Sequence, residues 1–274
     1  MESNILIVAA GLFIGTVGTL IGAGGGFILV PLLLIFYPEL SPELVTAISI
    51  AVVSVNAISG TFAYARSGRI DYRAGITFAL YTIPGSILGV LTVKYIPQQL
   101  FNTIFGVLLL VLAAYLFYKN RNPILTAKPV QKQGYRQHTL TDNKGMTYTY
   151  SYNPLYGNLV SIVVGYISPL LGIGGGIIHV PAMVNWLKFP VHVATATSHF
   201  ILAVMATVSV IVHAISGTYD NEGTVQMILL LALGVVPGAQ LGALLSHKIK
   251  SNVIIQSLAI CMILVGIRIL VKAF

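Results

Sequence analysis

Two glycine clusters are the residues best placed to do chemistry in this chain. Leu20-Ile21-Gly22-Ala23-Gly24-Gly25-Gly26 is followed by Pro31, and Leu170-Leu171-Gly172-Ile173-Gly174-Gly175-Gly176 is followed by Pro181. Both lie in otherwise apolar sequence. Each glycine costs roughly 1 kcal/mol in a helix relative to alanine, so three in a row favour an unwound break. The residues after a break begin a new half-helix, whose free N–H groups carry partial positive charge and can cradle an anion. At membrane depth such backbone is tolerated only where it is buried in protein or lines a cavity. The same glycines also suit close helix packing, because Gly11 with Gly15, Gly18 with Gly22, Gly22 with Gly26 and Gly172 with Gly176 all have G-x-x-x-G spacing.

The spans that follow each cluster supply hydroxyls and histidine. Thr195, Ser198, His199, Ser209 and His213 fall within roughly a 100° arc of a helix, and Thr46, Ser49 and Asn56 occupy a similar face in the first half. These stripes are expected to face a cavity, although Ser and Thr in membranes also bond neighbouring helices. Gln240, beside Pro237, is a further neutral donor. The expected site is therefore backbone N–H from Gly24, Gly25, Gly26 and Phe27 and from Gly174, Gly175, Gly176 and Ile177, completed by Thr46, Ser49, Asn56, Thr195, Ser198, His199 and Gln240. His179, His199 and His213 are the intramembrane groups able to carry a proton near neutral pH; a buried neutral histidine donating one hydrogen bond is the plainer alternative.

The acids define the mechanism by their positions. Glu2, Glu39, Glu43, Asp71, Asp142, Asp220 and Glu222 all fall in expected loops or at span edges, which argues against an aspartyl protease, a carboxylate proton relay and a carboxylate cation site. Neither G-x-x-x-x-G-K-[ST] nor H-E-x-x-H occurs. No catalytic residue, metal site or cofactor is expected.

The elements that must position these groups are membrane spans. The 274 residues are 56% hydrophobic and 8% charged, against about a quarter charged in globular proteins. A soluble enzyme is excluded. Runs of about 20 apolar residues, the length of a span, cover roughly 44–65, 74–93, 99–118, 192–215, 224–245 and 252–271. The stretches 5–36 and 155–187 are too long for one untilted helix and too short for two full ones, so each is expected to be an interrupted hairpin. The start of the chain lacks a basic n-region, and Ile5 onward is expected to be a retained span. Cys261 stands alone in an apolar run and is expected to pack. Residues 119–153 form a polar segment in which Asp142-Asn143-Lys144-Gly145 separates alternating Thr/Leu from alternating Thr/Tyr, consistent with a β-hairpin or with a disordered linker. The net charge of +8 comes mainly from loops, including Arg66, Arg69, Arg73 and the basic residues of this segment. That distribution fits the positive-inside bias of a membrane protein rather than a nucleic-acid binder.

The chain also repeats itself. The glycine motif, the Thr46/Ser49 pair and Pro84-Gly85-x-x-x-Gly89 recur about 150 residues later as the second glycine motif, Thr195/Ser198 and Pro237-Gly238-x-x-x-Gly242. Three motifs held in one register mark two homologous halves, 1–118 and 154–274, flanking the polar linker 119–153. A hydrophobic chain of two halves, each opening with G-x-G-G-G-x-x-x-x-P, resembles the TauE/SafE sulfite exporter family over nearly its whole length. The resemblance implies a sulfur oxyanion substrate, sulfite or an organosulfonate. The central polar loop is long for that group.

The expected fold is an all-α polytopic membrane protein of two inverted repeats, each a glycine-broken helical hairpin plus three transmembrane helices. If each broken segment returns to the side it entered, the segments 66–73, 119–153, 188–192 and 246–252 share one face and collect most of the basic residues. The expected function is secondary export of a small anion at the cell membrane, driven by an inside-negative potential worth about 2.3 kcal/mol per charge per 100 mV. The partners are the anion and the lipid bilayer, with no nucleic acid. A channel-like pathway, an importer of another small anion and a membrane enzyme using His199 and His213 are the alternatives. The two histidines would lie about 21 Å apart along a helix, too far to share one metal ion.

Overall fold

The computed structural model describes residues 2–120, 134–246 and 251–273. Ten helices and one two-stranded sheet occur among them: α1 Glu2–Ile21, α2 Gly26–Phe36, α3 Pro42–Ser67, α4 Tyr72–Val93, α5 Gln98–Asn120, β1 Arg136–Thr141, β2 Thr147–Tyr152, α6 Pro154–Leu171, α7 Gly176–Asn185, α8 Val191–Ile215, α9 Glu222–Leu245 and α10 Ser251–Ala273. Seven of these helices among the described residues are long and apolar enough to cross a membrane: α1, α3, α4, α5, α6, α8 and α9. Gly26–Phe36, Gly176–Asn185 and Met262–Val271 are shorter apolar helical stretches. The side chain of Cys261 lies outside what is described.

Helix ends follow local chemistry. Ser41 accepts from the Leu44 N–H ahead of Pro42, Asp71 caps α4 through the Ala74 N–H, and Asn153 and Asn221 cap α6 and α9. Such side chains satisfy N–H groups that a helix leaves unpaired. Gly68 closes α3 with φ 70°.

Each hairpin breaks at its glycine cluster, with arms of unequal length. The first helices are long, 20 residues in α1 and 18 in α6, and the returning ones short, 11 in α2 and 10 in α7. Of the two readings open for the polar segment, the structure has the antiparallel hairpin, with Arg136 opposite Tyr152 and Thr141 opposite Thr147. The fold is helical with this one β addition, and residues 121–133 lie outside the described residues.

Packing exchanges partners between the halves. Along α1 and α9, Gly11 lies against Leu231, Gly15 against Val235 and Thr16 against Gly242, so the two helices run parallel. The pair α6 and α4 repeats this, with Gly157 against Phe78, Gly165 against Thr82 and Gly89 against Tyr166. In both pairs a Cβ on the glycine would strike the facing helix, which is the close approach that small residues permit. Corresponding helices, by contrast, cross antiparallel. Ser54 meets Thr207 at 3.0 Å while Gly60 meets His199 in the α3/α8 pair, and in α5/α10 Gly106 meets Leu270 while Leu110 meets Gly266. The helix α3 is the centre of the bundle, with 78% of its most apolar window buried against 28% for α1.

Candidate functional site

Both readings of the glycines hold, at different positions. Gly11 and Gly15 are packing glycines on α9, whereas Gly22, Gly24 and Gly25 take φ of 83°, 80° and 86° and end α1. The Ala23 and Gly24 N–H groups fold back onto the Gly18 carbonyl at 2.8 and 3.1 Å. In the second half Gly172 and Gly174 take φ of 68° and 69°, and the Ile173 N–H bonds the Ser168 carbonyl at 3.2 Å. Gly175 departs from its counterpart: it is right-handed, with φ −46°. Left-handed backbone is open to glycine at little cost and strained for other residues.

The two breaks meet back to back. Gly26 lies against the carbonyls of Gly172 and Ile173, and Gly176 against the Gly22 carbonyl and Ala23. Backbone fills the space directly between them. The N–H groups of Gly25, Gly26 and Phe27 and of Gly174, Gly175 and Gly176 find no acceptor among the described residues. The Gly24 N–H is taken by Gly18, and the Ile177 N–H faces the Gly174 carbonyl at 3.5 Å.

Each half's second span grips the other half's break. The Ser49 hydroxyl donates to the Gly172 carbonyl at 2.6 Å, and the Ser198 hydroxyl to the Gly22 carbonyl at 3.5 Å. Thr46 packs on Gly172 and Thr195 on Gly22. The Thr46 hydroxyl itself turns back to the Pro42 carbonyl, 2.9 Å away. Gly24 faces the side chains of Val53 and Leu202, and Gly174 faces the Ala23 carbonyl and the Val53 side chain. Gln240 lies in a different contact: its amide donates to the Ser59 carbonyl and hydroxyl at 2.8 and 2.9 Å and ties α9 to α3.

Asn56 and His199 sit beside the first break in a buried polar cluster. The Thr19 hydroxyl donates to Asn56 Oδ1 at 2.9 Å, and the Tyr64 hydroxyl to the Thr19 carbonyl at 2.8 Å. Tyr64 meets the His199 ring edge-on, with centroids 5.6 Å apart. Asn56 and His199 are both 0% exposed, yet Asn56 Nδ2 has no partner and neither His199 ring nitrogen makes a well-formed hydrogen bond, although the Gly22 backbone lies beside the ring. Thr19, Gly60 and Tyr64 escaped the sequence reading. The available signal was Thr19, a polar residue in apolar sequence just before Gly22.

The remaining histidines are tied elsewhere. His179 Nε2 lies 3.1 Å from the Ser161 hydroxyl, and His213 Nδ1 lies 3.4 Å from Thr218 at the far end of α8. Among the described residues no three metal-ligating side chains gather. An open depression of about 680 Å³ lies on α9 around Tyr219, Glu222 and Leu233 rather than at the breaks.

This doubled, interlocked glycine architecture has known relatives. Residues 7–269 match the family described as sulfite exporter TauE/SafE. The chain belongs to the TauE/SafE family. It is 33% identical to the probable membrane transporter protein YunE of Bacillus subtilis, over 98% of this chain and 97% of the relative. A probable membrane transporter protein of Methanocaldococcus jannaschii is 25% identical over 89% of this chain and 87% of its own. One from Xylella fastidiosa is 26% identical over 92% and 88%. No solved structure matches. TauE/SafE membership, these relatives and the seven spans make the chain a multi-pass membrane transporter.

In this TauE/SafE chain the β-hairpin closes one end of the bundle. Asp71 Oδ2 accepts from the Tyr150 hydroxyl at 2.7 Å and lies 2.9 Å from His138 Nδ1, while the Asp71 N–H donates to Thr197 of α8 at 3.0 Å. Arg69 pairs with Asp142 at 3.2 Å, and Asn143 bonds the Ser67 and Arg66 carbonyls. Phe189, between α7 and α8, packs on Tyr150 and Tyr152. Burial works against the Asp142 carboxylate, but N–H groups of Met146 and Lys144 and the Arg69 guanidinium together hold it below its ordinary range. Burial and then Asp71 push the Tyr152 hydroxyl up to about 12. At the opposite end, Thr218 donates to Glu43 at 2.9 Å, Tyr219 donates to the Ala47 carbonyl at 3.0 Å, and Lys94 lies 3.5 Å from Glu43.

Proposed function

We propose that the chain is a secondary transporter that exports small sulfur oxyanions, sulfite or organosulfonates, across the cell membrane. Its two halves, 1–118 and 154–274, are inverted repeats, and the hairpin-bearing linker 119–153 is cytoplasmic. The antiparallel crossing of α3 with α8 and of α5 with α10 supports inversion, because a two-fold relating antiparallel counterparts must lie across the helices rather than along them. The basic residues Arg66, Arg69, Arg73, Lys144 and Lys188 then share the hairpin end, in keeping with the positive-inside bias.

The observation that carries the substrate reading is the pair of interlocked breaks with unpaired N–H groups on each. When the breaks part, neutral dipoles from two directions face one centre. An oxyanion buried without partners would cost several kcal/mol, so it needs such donors. Gly24, Gly25, Gly26 and Phe27 with Gly174, Gly175, Gly176 and Ile177 supply the backbone, and Thr46, Ser49, Asn56, Thr195, Ser198 and His199 line the approach. Gln240 acts through α3. The backbone and hydroxyl donors are neutral and hold the ion loosely enough for release. A divalent anion is driven outward by about 4.6 kcal/mol per 100 mV.

The test is efflux of sulfite and of an organosulfonate from liposomes under an imposed potential. Inside-negative potential should accelerate efflux of divalent sulfite, and sulfite flux indifferent to potential would refute the electrogenic mechanism. Cysteines introduced as Asp220→Cys and Lys144→Cys should label from opposite faces; labelling from one face would end the inverted arrangement.

A further inference from the structure

The interlocked breaks are nearly symmetric, but the unpaired side chains beside them are not. Asn56 Nδ2, His199 Nδ1 and His199 Nε2 are buried without partners around Thr19 and Gly60. A Cβ on Gly60 would come within 2.7 Å of His199 Nε2 and 3.1 Å of Thr19 Cγ2, so the absence of a side chain at Gly60 leaves the imidazole its room. Ser198, the residue before His199, reaches the Gly22 carbonyl of the same break. In the second half the repeat places Met205 where Asn56 stands, Ser209 where Gly60 stands, and Ile50 opposite to His199 in the first. Ser209 is satisfied by the Met205 carbonyl at 3.0 Å. The repeat therefore gathers three unpaired nitrogens beside the first break, whereas beside the second the unpaired polar atom is the single hydroxyl of Ser168.

Resting on the transport reading above, we infer that a single oxyanion is seated off-centre at the first break by Asn56 and His199, and that a proton accompanies it on His199. A neutral imidazole offers one donor and one acceptor, and its bare lone pair repels an anion's oxygen. The protonated ring donates from both nitrogens, and the Asn56 amide has N–H to add. The proton comes from solution on the loading side and leaves with the anion on the other, so a divalent anion then moves one net negative charge and a monovalent sulfonate moves none. Tyr64 of α3 is the titratable side chain in ring contact with His199, and its hydroxyl is already donated to Thr19. From α1 the neighbours are Thr19 and Gly22, and α9 contributes the uncharged Gln240 through Ser59; Arg69 acts on Tyr64 through space, and among the described residues no Asp, Glu, Lys or Arg makes a hydrogen bond or ion pair with this cluster.

Calorimetric titration of the purified protein with 2-hydroxyethanesulfonate tests this, because that probe is a permanent anion and any proton taken up belongs to the protein. Repeating the titration in buffers of different ionisation enthalpy counts protons. The expected result is close to one proton taken up per anion, with affinity falling by up to about tenfold per pH unit on the alkaline side. His199→Gln should abolish the proton uptake and flatten the pH profile, Asn56→Leu should weaken binding at every pH, and His213→Gln should change neither. Binding without proton uptake in the unaltered protein overturns the inference, with no variant needed, and leaves the transport reading standing. Failure of sulfite and 2-hydroxyethanesulfonate both to bind and to be transported removes the transport reading, and the inference with it.

Discussion

The two glycine breaks carry the same triplet in the same register, yet Gly25 is left-handed and Gly175 right-handed. Their neighbours explain the difference. Gly18 lies directly against Gly24 and Gly25, and its counterpart Ser168 carries a side chain whose Cβ would be 3.3 Å from a Cβ on Gly175. A bulkier residue one turn earlier forces a different path through an identical sequence. What both halves retain is the carbonyl exchange: each break is held by a serine of the other half. The repeat thus keeps its backbone contacts and lets its side chains diverge.

Substitutions at matched positions can break or sharpen this comparison. The largest loss is expected where backbone meets backbone. Gly26→Val and Gly176→Val each drive a side chain into the opposite break, and neither neighbour is a flexible tip. Both should destabilise by about 3 kcal/mol or more, read as thermal unfolding in detergent. A difference between them would show that one break carries the junction.

Gly25→Ala and Gly175→Ala should separate. The first adds a Cβ at φ 86° against the Ile14 carbonyl, whereas the second meets the ends of Val164 and Met205 in a right-handed conformation. The first is expected to cost about 1–2 kcal/mol more than the second. Equal costs in the same melting assay would mean that the two breaks are conformationally alike.

Among the serines, Ser49→Ala should cost about 1 kcal/mol, the net worth of a buried hydrogen bond. Ser198→Ala should cost less, because its bond is 3.5 Å against 2.6 Å. Equal values would make the crossed grip symmetric after all.

The smallest effect concerns the hairpin. The Asp142 carboxylate is held below its ordinary range, so its stabilising contribution is fully present above the unfolded value of about 4 and fades as pH falls through the depressed folded value. Amide exchange in β1 and β2 should therefore quicken at acid pH, and Asp142→Asn should remove that part of the pH dependence.

Much of this was legible from sequence, and the limits are physical. The triple glycines announce breaks because no helix absorbs three of them cheaply, and the register of the repeat announces two halves. Partner exchange was not legible: that Gly11 faces Leu231, or that Ser49 serves Gly172, depends on helix packing between distant segments. The hydroxyl stripe was found, but the hydroxyls of Thr46, Ser49, Ser198 and Ser209 bond carbonyls of the protein. For the same reason the turn Asp142-Asn143-Lys144-Gly145 could be read, while its docking on Arg69, Ser67 and Arg66 could not.

Among the described residues the β-hairpin occurs once, whereas the glycine break occurs twice. The hairpin clasps the α3–α4 turn and Phe189, so it straddles the seam between the halves at one end only. The other end is held by Thr218, Tyr219 and Lys94 without any added element. Separating the halves at the hairpin end must undo the Asp71–Thr197 bond and the stack of Tyr150 and Tyr152 on Phe189, whereas the far end parts by releasing a few side chains. The seesaw is weighted: one end carries an aromatic clasp across its seam, and the other only a few polar side chains.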